Sequence, residues 1–228
     1  VAEASVTAHG GGDGDATDED YRPPSAELTG RQRTELAAAF RRLLDRDEPV
    51  SASALAEDLS FDVADVETDL THLAEVGRIR RDDAGAVLGS LGLTLVETRH
   101  TVCVDGAVRH TWCALDAVGI LGALEADGWV ESVNPQTGRT HRIDYAGGRP
   151  GEPQPPCVLF VAEGTPVGSV IDEWCPLVNF LDDEAAAAAW MKEKGVSGRS
   201  YSVAEGTERG AAMWRPYVGP SQERAAGG

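Results

Sequence analysis

The stretch "RHTWCALDAVG" sets Cys113 three residues before Asp116, where a β-rich run gives way to a helical one. Thiolates are nucleophiles and soft-metal ligands, and a helix N-terminus lowers a thiol's pKa. Asp116, one turn on, lies on the same side of that turn, within reach of a proton on anything held at the sulfur. The same residues also suit a bland role, because cysteine is among the most buried residue types and aspartate is common in first turns. Both readings stand on these residues alone.

The other candidates rank below this pair. Cys175, in "DEWCPLVNF", sits between Trp174 and Pro176 in what reads as a stiff loop running into an extended segment, from which it could meet Cys113 across a site. Cys103 alternates with Val102 and Val104 in a predicted strand, and Cys157 opens an apolar strand, so both read as packing residues. Neither a CxxC pair nor a zinc-finger spacing occurs, and four scattered cysteines do not make a disulfide scaffold. His72, His100, His110 and His141 share no fixed spacing, which argues against a histidine metal site.

The elements that must position these groups follow from periodicity. Residues 1–27 are mostly Gly, Asp, Glu, Ala and Pro with little to bury, and predict a disordered acidic tail. Thr29 can cap a helix presenting Leu36, Ala39, Phe40, Leu43 and Leu44 on one face. Ser51 or Ser53 can cap a short second helix through Leu59. "DVADVETDLTHLAEVG" spaces Val63, Val66, Leu70, Leu73 and Val76 as a third, closed by Gly77. "RIRRDDAGAVLGS" reads as two strands about a polar turn, so residues 28–86 predict a winged-helix-like, three-helix part. From about residue 87 to 219 the texture is short strands with turns at "VDGA" and "NPQTGR", a helix over "ALDAVGILGALEADG" ended by Gly128, and a second over "DDEAAAAAWMKEKG" ended by Gly195. A last helical piece, "AEGTERGAAMW", comes before a flexible tail at 220–228. The fold class is α+β with a mixed or antiparallel sheet.

Composition excludes several partners. A net charge of -18, from 38 acidic against 20 basic residues, repels nucleic acid and anionic lipid. The third helix would present Asp62, Asp65, Glu67, Asp69 and Glu75 to a DNA groove, against which only Arg78, Arg80 and Arg81 could act as a phosphate-contacting wing. With two lysines in the chain, Lys192 and Lys194, the acidic composition suits a halophile or a GC-rich genome. The apolar run "AVGILGAL" is far short of the roughly 18 residues needed to span a bilayer, and no basic leader opens the sequence, which predicts a soluble, cytoplasmic protein. With no heptad surface left over, a monomer is expected.

"GLTLVETRHTV", "WCALDAVGILGAL" and "CPLVNF" together resemble the organomercurial (alkylmercury) lyase family, in order from the three-helix region to about Trp190. The resemblance implies a winged-helix-like part packed on an α+β core, and protonolysis of a carbon–mercury bond. It implies Cys113 and Cys175 as the two catalytic, mercury-holding cysteines and Asp116 as the proton-carrying aspartate that completes the mercury site. No built-in cofactor is implied; cellular thiols or a mercuric reductase would take Hg(II) from the protein. The chain departs from the family's pattern at Asn134, where a structural cysteine is common, at Pro176, where many members have another cysteine, and at Asn179, where many have histidine. Two other functions stay open on the same residues: a soft-metal binder or sensor for Hg(II) or Cu(I) that cleaves nothing, and a relative acting on a non-mercurial small molecule.

Overall fold

A computed structural model describes residues 28–164 and 169–218; the predicted tails at 1–27 and 220–228 lie outside the described residues. Three helices come first, α1 (Gly30–Arg46), α2 (Ala52–Leu59) and α3 (Val63–Glu75). Thr29 and Gln32 form a reciprocal capping box on α1 and Ser51 caps α2, so both begin where their cap residues predict; Asp62 caps α3. Leu36, Phe40, Leu43, Leu55, Val66, Leu70 and Leu73 are buried where the helical stripes place them, but Val63, in the first turn of α3, is exposed.

A hairpin follows, β1 (Ile79–Arg81) paired antiparallel with β2 (Val87–Ser90). β2 also pairs with β3 (Leu93–Thr94), so one sheet runs on from the helical part without a break. Its other strands are β4 (His100–Val104), β5 (Ala107–Thr111), β6 (Gly128–Val133), β7 (Thr140–Ala146) and β8 (Arg149–Pro150), in the order β1-β2-β3-β5-β4-β6-β7-β8. A second sheet places β9 (Val158–Ala162) between β10 (Asn179–Leu181) and β11 (Gly198–Tyr201). Every pairing is antiparallel, the simpler of the two sheet types expected. α1 is tied to the large sheet by Ser90 Oγ donating to Leu36 O at 2.9 Å and by Arg109 donating to the carbonyls of Leu43 and Leu44.

α4 (Ala114–Leu124) lies against both sheets and against α6 (Val203–Val218). Ten of its residues, Ala114 through Ala123, are buried, which accounts for a sequence apolar on every face. α4 and α6 cross with backbones in contact: a Cβ on Gly210 would stand 2.6 Å from Gly119 Cα. α5 (Glu184–Lys194) runs from an Asp183 cap to Gly195, the glycine predicted to end it.

Three local expectations change. α4 stops at Leu124, with Glu125 taking the left-handed cap at φ 54, and Gly128 instead opens β6. A Cβ on Gly128 would collide with Cys103 O, so that glycine serves strand approach and not helix termination. α6 continues beyond Trp214 through Pro216 to Val218, whose carbonyl accepts from Arg41 at 3.1 Å; a proline in the last turn removes only one helical donor. The supposed loop before β10 is helical: a π-type turn over Val170–Trp174 passes into a 3-10 turn over Cys175–Leu177.

Candidate active site

Cys113 is the N-cap of α4 and Asp116 its third residue, an arrangement that the β5–α4 junction holds from several sides. Thr111 Oγ1 donates to Cys113 O at 3.0 Å, Trp112 N donates to Gly92 O at 2.9 Å, and Ala114 N donates to Val178 O at 3.3 Å. Asp116 Oδ2 accepts from Cys113 N at 2.9 Å, so the carboxylate reaches back over the cap as a glutamate does in a capping box.

Cys175 arrives from the other side of the molecule. Trp174 Nε1 donates to Ala162 O at 3.0 Å, which anchors the π-type turn to the end of β9. Asn179 Nδ2 donates to Pro176 O at 2.9 Å, bracing the tighter turn that carries Cys175. The two sulfurs and a carboxylate oxygen of Asp116 come within 4.8 Å of one another, and all three residues are buried. Cys103 and Cys157 are buried on β4 and just before β9, and neither joins the cluster.

Burial sets the electrostatics, against the expectation that a helix N-terminus lowers the Cys113 pKa. Loss of solvent pushes the Cys113 thiol well up, its hydrogen bond to Cys175 and the nearby Asp116 charge adding to the rise, while the Asp116 backbone N–H opposes it. The bond from Cys113 favours the Cys175 thiolate, yet burial and the charges of Asp116 and Asp172 leave Cys175 above its ordinary value. Burial raises Asp116 to about 7, against the bonds it accepts from Cys113. Two thiols that hold their protons and a carboxyl poised near neutrality therefore share one buried cluster. Two soft sulfurs there can chelate a linear soft cation, and the carboxyl can take or give a proton beside it.

The positions that depart from the family pattern have defined work. Asn134 is buried, its Oδ1 accepting from Gln136 N at 2.8 Å and its Nδ2 donating to Asp182 Oδ1 at 2.9 Å, so an amide ties the β6–β7 turn to the end of β10. Pro176 occupies the first turn of the 3-10 segment, where a missing N–H costs nothing. Asn179 is fully buried, and its Oδ1 finds no hydrogen-bond partner among the described residues. Of the basic cluster, Arg80 pairs with Asp172 and Arg81 with Glu67, so both are engaged within the fold.

Gly92 escaped the sequence reading. A Cβ there would lie 2.5 Å from Asp116 Cγ, so this residue must be glycine for the carboxylate to sit as it does. Its one signal is a glycine just after Leu91, at a turn where both residues take positive φ, 49 and 85.

Comparison with known proteins agrees with the geometry. The profile of the alkylmercury lyase family matches residues 93–215. An alkylmercury lyase of Bacillus cereus is 29% identical over 182 residues, 78% of this chain and 81% of its own length. One of Pseudomonas putida is 31% identical over 174 residues, 71% of this chain and 76% of its own. The crystal structure of the mercury-bound form of MerB2 superposes with a TM-score of 0.76, covering 84% of this chain and 93% of that one at 19% identity, which shows a shared fold. With a profile match across more than half its length and relatives aligned over most of theirs, the chain belongs to the alkylmercury lyase family.

Proposed function

We propose that this protein is an organomercurial lyase in mercury detoxification, with Cys113 and Cys175 as the mercury-binding thiols and Asp116 as the proton carrier. The observation that carries the assignment is the approach of two buried sulfurs and one buried carboxylate to within 4.8 Å of each other.

In the scheme, an organomercurial R–Hg–X first meets the Cys175 thiol. A Cys175 S–Hg bond forms, the Hg–X bond breaks, and the thiol proton leaves with X as HX. Asp116, as the carboxylate, then takes the Cys113 proton while the Cys113 sulfur adds to mercury. Two thiolates weaken the carbon–mercury bond, and the Asp116 carboxyl gives its proton to carbon as that bond's electron pair becomes the new C–H bond. R–H departs, Asp116 is again a carboxylate, and mercury remains Hg(II) throughout, held by both sulfurs.

A general acid–base with a pKa near the working pH is the effective choice for such a relay, and Asp116 at about 7 meets it. High thiol pKa values keep Cys113 and Cys175 protonated until mercury, a strong Lewis acid toward sulfur, displaces the protons. The scheme consumes no resident cofactor. Two external thiols return the sulfurs to their protonated form and carry Hg(II) away, in the cell to a mercuric reductase. All three groups come from one chain, so the working unit is taken as a monomer, and the winged-helix-like part at 28–86 as packing support for the core at 87–219.

The test gives full-length protein phenylmercury in excess thiol and follows benzene by gas chromatography. Wild type should release benzene and Cys113→Ser, Asp116→Ala and Cys175→Ser should not. Hg(II) capture with no hydrocarbon from wild type would make the protein a metal binder and overturn the assignment; full activity in Cys175→Ser would overturn the thiol pairing.

A further inference from the structure

α6 contributes no group to the cluster; besides packing on α4, it grips a turn that bears on Asp116. Trp214 Nε1 donates to Leu91 O at 2.7 Å. Leu91 holds a φ of 49, uncommon for a branched side chain and maintained only where surrounding contacts enforce it. The next residue, Gly92, is pressed on Asp116 so closely that a Cβ would lie 2.5 Å from Cγ and from Oδ1. Its carbonyl accepts from the backbone N of Trp112, the neighbour of Cys113. The Trp214 ring is itself fixed, lying against the α4 backbone at Gly119, where a Cβ would meet Cε3 at 2.9 Å. Trp214 is buried, and no titratable group of α6 joins the Cys113–Asp116–Cys175 cluster.

We propose that Trp214 is a positioning residue for the proton-transfer step: by holding Leu91 O it keeps Gly92 against Asp116 and the carboxylate turned to the two sulfurs. The inference rests on the lyase reading, and assigns α6 a part in the reaction without contact with substrate. A carboxylate backed by a rigid turn on one side and bonded to Cys113 N on the other has few rotamers left. Releasing the turn lets Asp116 swing away, and proton delivery to carbon, which depends on alignment within a fraction of an ångström, suffers first. Mercury capture depends on the two sulfurs, which keep the bonds from Thr111 to Cys113 O, from Ala114 N to Val178 O and from Asn179 to Pro176 O, and should survive.

Trp214→Phe keeps the ring and removes the donor. With full-length protein, phenylmercury and excess thiol, the saturating rate of benzene release should fall about tenfold with KM held. Titration with HgCl2, read by thiolate–mercury charge-transfer absorption, should still give one equivalent bound at wild-type strength. Gly92→Ala should show the same split, and the double variant should be no more than about twofold slower than the slower single, because both act through one turn. Wild-type benzene release from Trp214→Phe, or turnover and Hg(II) capture falling together, overturns the proposal; should that variant not fold, Gly92→Ala decides by the same two readings. Wild-type protein that releases no benzene overturns the lyase reading and this inference with it, whereas an active wild type with an unchanged Trp214→Phe overturns this inference alone.

Discussion

Glu35, on the buried face of α1, is fully enclosed and neither carboxylate oxygen has a hydrogen-bond donor among the described residues. Across from it on α3 stand Asp69 and Asp65, with Arg31 lying 3.8 Å from Glu35 Oε1 and bonded to both aspartates, and Gln32 donating to Asp69. Burial first, and the Asp69 charge second, raise Glu35 from an ordinary 4.5 to about 7. Because the folded pKa is above the unfolded one, the protonated form is the stabilising one. Its contribution is complete below pH 4.5, declines as pH rises, and is lost above about 7. At about 1.4 kcal/mol per pH unit, the span from 4.5 to 7 makes ionisation of Glu35 cost roughly 3 kcal/mol of folding stability. Glu35→Gln supplies a side chain that never ionises and still offers Asp69 a donor. Urea unfolding followed by tryptophan fluorescence at pH 5, 6, 7 and 8 and constant ionic strength should show the variant gaining on wild type by roughly 2.5 kcal/mol from pH 5 to pH 8. Two curves that stay parallel, or a variant that loses ground at pH 8, would refute the argument that a neutral carboxyl is built into the α1–α3 contact.

Three more outcomes follow from the site. Iodoacetamide should label Cys113 and Cys175 slowly in native protein at pH 7, with rates still rising above pH 9, because burial holds both thiols above their ordinary range; peptide mass spectrometry against the urea-unfolded chain measures it. Cys113→Ser and Cys175→Ser should each lose mercury retention against competing thiol by at least about a hundredfold, since one sulfur cannot chelate, a change read by dialysis and atomic absorption. Asn179→Ala should lower stability by about 0.5–1.5 kcal/mol in urea unfolding, because the bond that braces Pro176 O would be lost.

Much of the scaffold was legible in the chain. Thr29, Ser51, Asp62 and Asp183 each begin a helix by a local side-chain bond, and the 3.6-residue stripes of α1 and α3 face the core except at Val63. Misreadings came where distant contacts override local rules. Glu125, and not Gly128, ends α4 because Gly128 is needed flat against Cys103 O of β4. Proline did not stop α6, because Val218 is buried and its carbonyl is held by Arg41 of α1. A helical turn carries Cys175 because Trp174 is anchored to β9.

Sequence by itself determined the caps, the amphipathic faces, and the Cys113–Asp116 spacing that puts thiol and carboxylate on one helical turn, since each depends on neighbours within four residues. Tertiary structure alone decided that Cys175, 62 residues from Cys113, closes on that turn, that Gly92 and Trp214 stand behind Asp116, and that Cys113, Asp116 and Cys175 are all buried. The last point reverses a local rule: a helix N-terminus favours a thiolate, but its partial charge is outweighed by desolvation, which comes from the whole fold and is written in no short stretch of the chain.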